Sequence, residues 1–545
     1  MRHAAPLTAL ALAAHAGHAQ TSLNATYTGS FNGSYTSSSN WDVGAVPNNT
    51  TSATYNITLN LPARVLTGID LTVSGLSGGS LGAVELDAPA TFTLLGTVSG
   101  LTTLRTRDPN AVITVSTIDH IDHGRFESFD GGIKVHASSW ATTLSGEVLA
   151  AKRSAGDAVI SMPNLTSITL AQPATATAFG TASSSGNEAR IDLPSLTTVQ
   201  GDMTWYATFG GVINAGSLAS LDGDTVTAER AGSLILMDGV ASATDATLQS
   251  LSGATLSLGS LSSADGALLR ADGQGSMLVA DALTTSPATG TRVVATQGAG
   301  IWLRGVDGAQ ALSIDYTSSL AVAGDVVLTT ANAESLDGAL VMTGDASLEA
   351  AQADLADTRL NYSMNITVAE NATVTLADQT DDDGDGLPDA LYLSNADFTA
   401  RALSLEPGAI LEVKPGQPVY VLDNFVWVRL EDLLGTSEGC VAYDRGQVCF
   451  VEEEQENPPC IADMNTDGIL DNGDIRAFVA LYVDRDPEAD FDDNGFVNPD
   501  DVRLFLRAYL TNCEATPTGR NGRGIGRAVR FKGKDQIQRR NRRGK

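Results

Sequence analysis

Two twelve-residue stretches near the C-terminus space oxygen-bearing side chains as a hard divalent cation requires. In the first, Asp463, Asn465, Asp467, Asp471 and Asp474 stand at positions 1, 3, 5, 9 and 12, with Gly468 at position 6. The scheme returns a short way on as Asp490, Asp492, Asn494, Asn498 and Asp501, with Gly495 at position 6. Calcium takes six to eight oxygens, so alternate side chains must converge on one point, and glycine permits the sharp turn this needs. Position 7, Ile469 or Phe496, would add its main-chain carbonyl. Without a cation the same carboxylates would repel one another.

The loops need elements to hold them, and each opens a helical pattern. Ile475, Phe478, Val479 and Tyr482 follow the i, i+3, i+4, i+7 spacing, as do Val502, Phe505, Leu506, Tyr509 and Leu510. Both segments read as amphipathic helices packed on each other. No helical pattern precedes the first loop, where residues 452–459 are acidic and carry prolines. A loop of EF-hand type, followed but not preceded by a helix and then duplicated, resembles a type I dockerin. Asp rather than Glu at position 12 matches that family too. Cys460 just before and Cys513 just after resemble the dockerin-like C-terminal modules of some secreted bacterial proteins. The resemblance spans residues 460–513. It implies Ca2+ as cofactor, a cohesin-like or cell-envelope protein as partner, and a parent protein that often acts on polysaccharide. Positions 10 and 11, Asn472-Gly473 and Pro499-Asp500, depart from the hydroxyl pairs common in dockerins.

A third acidic stretch supplies part of the pattern. Asp381, Asp383, Asp385 and Asp389 with Gly386 occupy positions 1, 3, 5, 9 and 6, while Tyr392 stands at position 12. It resembles bacterial thrombospondin type 3-like repeats, a weaker calcium site whose bland alternative is a solvated acidic turn. The mature chain's histidines, His120, His123 and His136, fall close together, beside Asp119, Asp122, Arg125 and Lys134. On a strand His120 and Asp122 share one face, and Asp119 and His123 the other. His120, His123 and Asp122 are weak candidates for acid–base chemistry; the ordinary reading is a polar outer face. No nucleophilic serine motif, phosphate-binding glycine loop or zinc spacing is present. No catalytic set is therefore assigned. If the chain were an enzyme, a polysaccharide lyase or glycoside hydrolase would be expected.

The body between the N-terminus and these loops repeats. One strand signal recurs at Gly211, Gly232, Gly253, Gly275, Gly300, Ser319 and Gly338, in steps of 21, 21, 22, 25, 19 and 19. A second series, Leu196, Leu218, Val240, Leu261, Leu283, Val306 and Leu328, steps by 22, 22, 21, 22, 23 and 22. Periods in this range mark solenoids, in which each coil buries a thin apolar layer that only its neighbours can cover. Short pieces such as Leu165 to Ile168 hint at leucine-rich repeats, but that family's Asn or Cys ladder and helices are missing. Apolar residues alternate with Ser, Thr and Ala over short runs bounded by Gly, Asp and Asn, which is the strand pattern. The fold class expected is mainly β. It has a right-handed parallel β-helix (β-solenoid) body and a small α-helical dockerin-like calcium-binding C-terminal domain. The second series should form one inward column. Leu76, Leu101 and Trp140 mark earlier coils, and residues 174–188 read as an inserted loop.

The ends complete the organisation. Met1-Arg2-His3, an apolar run and Ala19 form a secretory signal peptide over 1–19, which places the protein in the extracellular space or at the cell surface. Residues 20–60 form an N-terminal cap, where Asn40 to Asn48 resembles the opening of secreted passenger-type β-solenoids. The solenoid covers 61–415, a hairpin and acidic linker 416–459, the calcium module 460–513, and a basic disordered tail 514–545. Residues 520–545 hold 11 Lys or Arg and one Asp, so the rest carries 63 acidic against 22 basic groups, a net −41. A body so acidic excludes nucleic acid as a surface partner. No segment is long and apolar enough to span a bilayer. Four cysteines, Cys440, Cys449, Cys460 and Cys513, allow three pairings that the sequence leaves open. The favoured set is Cys440–Cys449, closing a hairpin, with Cys460–Cys513 clasping the calcium module, a ring worth ~4 kcal/mol. The leading functional reading is a scaffold or adhesin-like protein with a calcium-dependent docking module. The alternative is a polysaccharide-degrading or carbohydrate-binding β-helix protein.

Overall fold

A computed structural model describes residues 20–50, 53–79, 82–100, 103–122, 124–181, 189–285, 290–307, 311–328, 333–349, 364–376, 390–394, 402–423, 426–451, 462, 464, 472–491 and 495–510. The expected leader, acidic linker and basic tail fall outside these residues. The chain forms two compact units, Met1–Glu452 and Glu453–Lys545. The protein is mainly β: 51% of the described residues are in strands and 8% in helices, about twice the strand content of an ordinary globular protein.

In the first unit the strands pair in parallel, each with a strand further along the chain, apart from the antiparallel pairs Val419–Asp423 with Val426–Arg429 and Gly439–Tyr443 with Gly446–Phe450. One sheet has fourteen strands among the described residues. Its inward row runs Trp205, Val226, Leu248, Leu269, Val293 and Leu312, each opposite the next in register. A second sheet stacks Ile191, Ile213, Ile235, Leu256, Leu278, Ile301, Leu320 and Leu340 in the same way. All of these side chains are buried, and both rows belong to one continuous apolar core. Thr225–Glu229 and Thr247–Leu251 alternate half-buried and buried residues without a break, so sequence alternation maps directly onto the inner and outer faces. This arrangement is compatible with a β-solenoid.

Tight turns separate the strands. The main-chain N–H of Leu196, Leu218, Val240 and Leu261 donates to the carbonyl three residues earlier in each successive coil. All four side chains are fully buried. These turns explain the second periodic series: its apolar member closes the corner and fills it. At another corner the backbone is left-handed at Gly210, Gly232, Gly253, Gly275 and Gly298. Glycine adopts that conformation without the Cβ penalty.

The column is shorter than its period implies. Val306 pairs with Thr285 and Val326 rather than standing opposite Leu283, because the ladder shifts between Ala280 and Thr284. Leu328 is buried, and its N–H donates to the Glu349 carbonyl, continuing the ladder in which Val327 stands opposite Glu349. The expectation of one column therefore breaks at Val306, although Leu283, Val306 and Leu328 are all buried. Of the earlier markers, Leu76 and Trp140 are buried in the core, and Leu101 lies outside the described residues. Residues 174–188 differ from expectation as well. Ala174–Phe179 is a strand paired on both sides, with Ala176 and Ala178 buried, and residues 182–188 lie outside the described set. Alanine fills the core sparingly, which made this strand resemble a loop.

Strands begin earlier and end later than residues 61 and 415. Thr21–Thr26 pairs with Ala53–Leu59, which continues to Gly75–Gly78 and Val98–Gly100. Trp41 lies edge-on to Tyr27 and Tyr35, and Tyr35 packs on Phe92, forming an aromatic cluster over this end of the core. The Trp41 indole donates to the Tyr35 carbonyl at 2.8 Å, and the Tyr35 hydroxyl donates to the Pro47 carbonyl at 3.0 Å. At the other end Gly446–Phe450 pairs in parallel with Ile410–Val413 and antiparallel with Gly439–Tyr443. Cys440 and Cys449 are disulfide-bonded across that hairpin.

In the second unit, helices Asn472–Asp484 and Pro499–Leu510 flank a short 3-10 turn at Pro487–Ala489. Ala462, Phe478, Ala489, Phe505 and Ala508 form its buried core. No described helix is long and apolar enough to cross a membrane.

Candidate functional site

The second acidic loop is where the described residues carry most detail. Asp490 Oδ2 accepts from the Gly495 main-chain N–H at 2.7 Å, folding position 1 over position 6. Gly495 sits at φ +85°, the left-handed conformation that the sharp turn demands. Asp501 closes the loop from the other side. Its two carboxylate oxygens accept from the N–H groups of Phe491, at 2.9 Å, and Asn498, at 2.7 Å. The Asn498 amide donates to the Phe496 carbonyl at 3.0 Å. Asp501 is fully buried at the start of its helix, where an anion is favoured by the unpaired N–H groups and the helix dipole. Asp492 and Asn494 lie outside the described residues.

Of the first loop, Asp474 is described and is fully buried at the start of its helix. Asp463, Asn465, Asp467, Ile469 and Asp471 lie outside the described residues, as do Cys460, Cys513 and the third stretch, Asp381, Asp383, Asp385 and Asp389. Among the described residues no three His, Cys, Asp or Glu side chains converge as a metal-holding group. The donor types nevertheless suit a hard cation, since every donor is an oxygen.

The histidine segment is a strand, Val112–Asp122, paired with Gly131–Thr142. His120 is exposed, and its Nδ1 lies 2.9 Å from the Ser139 hydroxyl. Lys134 is exposed and His136 half-buried on the neighbouring strand. His123 and the side chain of Asp122 lie outside the described residues.

A cluster that sequence reasoning missed lies on the outer face of the fourteen-stranded sheet. Arg64, Glu85, Arg105 and Glu127 stand opposite one another on four successive strands. Arg105 bonds to both Glu85 and Glu127, and Arg64 to Asp87. Their sequence spacing, 21, 20 and 22 residues, matches the repeat read from the apolar series. That period was the available signal, but it was followed only through apolar positions in the central coils.

One buried acid faces the core instead. Asp224 accepts from the Met203 N–H at 3.0 Å and the buried Trp205 indole N–H at 3.4 Å. Burial pushes its carboxyl up to about 6, against the pull of those two hydrogen bonds.

No family model, curated protein or solved structure matches the chain.

Proposed function

We propose that this is a secreted scaffold or adhesin-like protein. A right-handed parallel β-helix forms its body, and residues 460–513 form a dockerin-like module that docks in a calcium-dependent manner. The partner is a cohesin-like or other cell-envelope protein. The reading is carried chiefly by the second loop. There, Asp490 and Asp501 brace the turn at Gly495 from positions 1 and 12, at the mouth of a helix whose Phe505 packs on Phe478 of the other helix. In this reading Asp490, Asp492, Asn494, Asn498, Asp501 and the Phe496 carbonyl would hold one Ca2+. Asp463, Asn465, Asp467, Asp471, Asp474 and the Ile469 carbonyl would hold the other. The ion supplies positive charge that offsets carboxylate repulsion and cross-links loop to helix.

Titration calorimetry of the metal-stripped full-length chain with CaCl2 tests this. Two strong sites are expected, and Asp490→Ala should remove one of them. Absence of calcium binding by the oxidised chain would refute the reading.

A further inference from the structure

We propose that the outer face of the first coils is a binding site for a carboxylated sugar, presented either free or as the end of an acidic glycan. A cleft of about 420 Å³ lies there, within the range of small-ligand sites. Its lining includes Arg64, Arg105, Arg107, Arg125, Glu85 and Phe31. Four guanidinium groups thus meet the carboxylates of Glu85, Asp87 and Glu127, in a unit whose residues 1–452 hold 47 acidic against 18 basic groups, a net −29.

The ion pairs orient this charge rather than cancel it. Glu85 and Glu127 are almost fully buried and hold Arg105 between them. Arg107 stands 3.7 Å from both Glu85 and Asp87, longer than a hydrogen-bonded pair, and its side chain is 43% exposed. The Phe129 ring supports Arg107 at 5.0 Å and Arg105 at 5.7 Å, so both guanidinium planes rest on an apolar shelf. Guanidinium groups fixed in this way match a carboxylate's two oxygens.

The cleft's rim is aromatic. Phe31 is 61% exposed beside Asn32, whose backbone is left-handed at φ +55°. An exposed ring next to arginines suits a ligand with an apolar C–H face and a carboxylate, which is the chemistry of a uronic acid. The acidic body selects against dense polyanions such as nucleic acid. A carboxylate on a single sugar feels mainly the cleft, because more distant charges are screened beyond ~8 Å at physiological ionic strength.

The test is calorimetric titration of the full-length chain, in chelator, with a galacturonate disaccharide, and with cellobiose as the neutral control. Saturable binding of the uronate, weakened by salt and absent with cellobiose, is expected. Arg107→Ala and Phe31→Ala should each weaken it at least tenfold at unchanged melting temperature. Arg270→Ala, at a half-buried arginine paired with Asp272 on the same sheet, should leave it unaltered. No uronate binding, equal binding of cellobiose, or unchanged affinity in Arg107→Ala would overturn the proposal. Working in chelator separates it from the docking module: uronate binding seen only with calcium would also overturn it, leaving the module's own calcium titration untouched.

Discussion

Phe478 and Phe505 lie face to face, their ring centroids 4.1 Å apart and their planes 2° from parallel. Phe491 meets both edge-on, at 5.3 and 5.7 Å. Each ring of the stacked pair belongs to the helix that follows one acidic loop, so the core of this unit and the two loops stand or fall together. The unit is small, and a core of this size stabilises it weakly. Binding of Ca2+ to the folded form alone would add stability by mass action. Chelation is therefore expected to lower the helical signal and to expose both rings to a hydrophobic dye, with recovery on adding CaCl2. An unchanged helical spectrum in chelator would count against calcium-dependent folding.

Asp501→Ala removes the acceptor of two main-chain N–H groups at a buried position. Each donor left unsatisfied costs ~1–3 kcal/mol. The variant should lose one calcium site and melt earlier in the helical signal. All five tryptophans precede residue 453, so tryptophan fluorescence, which reports the body alone, should not shift.

Leu256 sits between Ile235 and Leu278 in the inward row and is fully buried. Leu256→Ala should destabilise the body by about 2–5 kcal/mol, the range for cavities in close-packed cores. Val279→Ala, on the outer face of the adjacent coil, should cost far less. Equal losses in urea titrations followed by tryptophan fluorescence would show that the row is not inward.

Asp224 gives the body a pH dependence of defined sign. Its folded carboxyl is raised to about 6 from an ordinary value of 3.8, so the folded state binds the proton more tightly than the unfolded chain. The resulting stabilisation is fully present below about pH 4 and is lost as pH rises through about 6. Its size is on the order of 2–3 kcal/mol. Asp224→Asn should flatten the stability profile between pH 4 and 7, measured by tryptophan fluorescence in excess calcium. A variant profile that still falls by the same amount would assign the dependence elsewhere.

The Cys440–Cys449 bridge closes a short loop between paired residues of a hairpin. A loop of this length contributes roughly 2–3 kcal/mol in the chain-entropy model. Peptide mapping of the non-reduced protein should recover this link and a separate one between Cys460 and Cys513. A Cys449–Cys460 peptide would overturn that assignment.

Local spacing was the most legible part of the chain. Donors at alternate positions with glycine at position 6 lie within one turn of backbone, so Asp490, Gly495 and Asp501 could be singled out without knowing what surrounds them. The coil period was legible for a similar reason. Every coil must present an apolar layer to the next, and turns of constant length return Leu196, Leu218, Val240 and Leu261 to the same corner. Mainly β architecture followed from that alternation.

Tertiary structure decided what the period cannot carry. Residues inserted near Ala280 change how far the chain travels before it re-enters the sheet, so Val306 meets Thr285 instead of Leu283. Periodicity counts residues, whereas register depends on hydrogen bonds to the coil before. The ladder of Arg64, Glu85, Arg105 and Glu127 exists only because three successive coils of nearly equal length place polar side chains opposite one another. The raised carboxyl of Asp224 likewise comes from burial beside Trp205, which belongs to the preceding coil. Desolvation is set by what surrounds a group in space rather than by its neighbours in sequence.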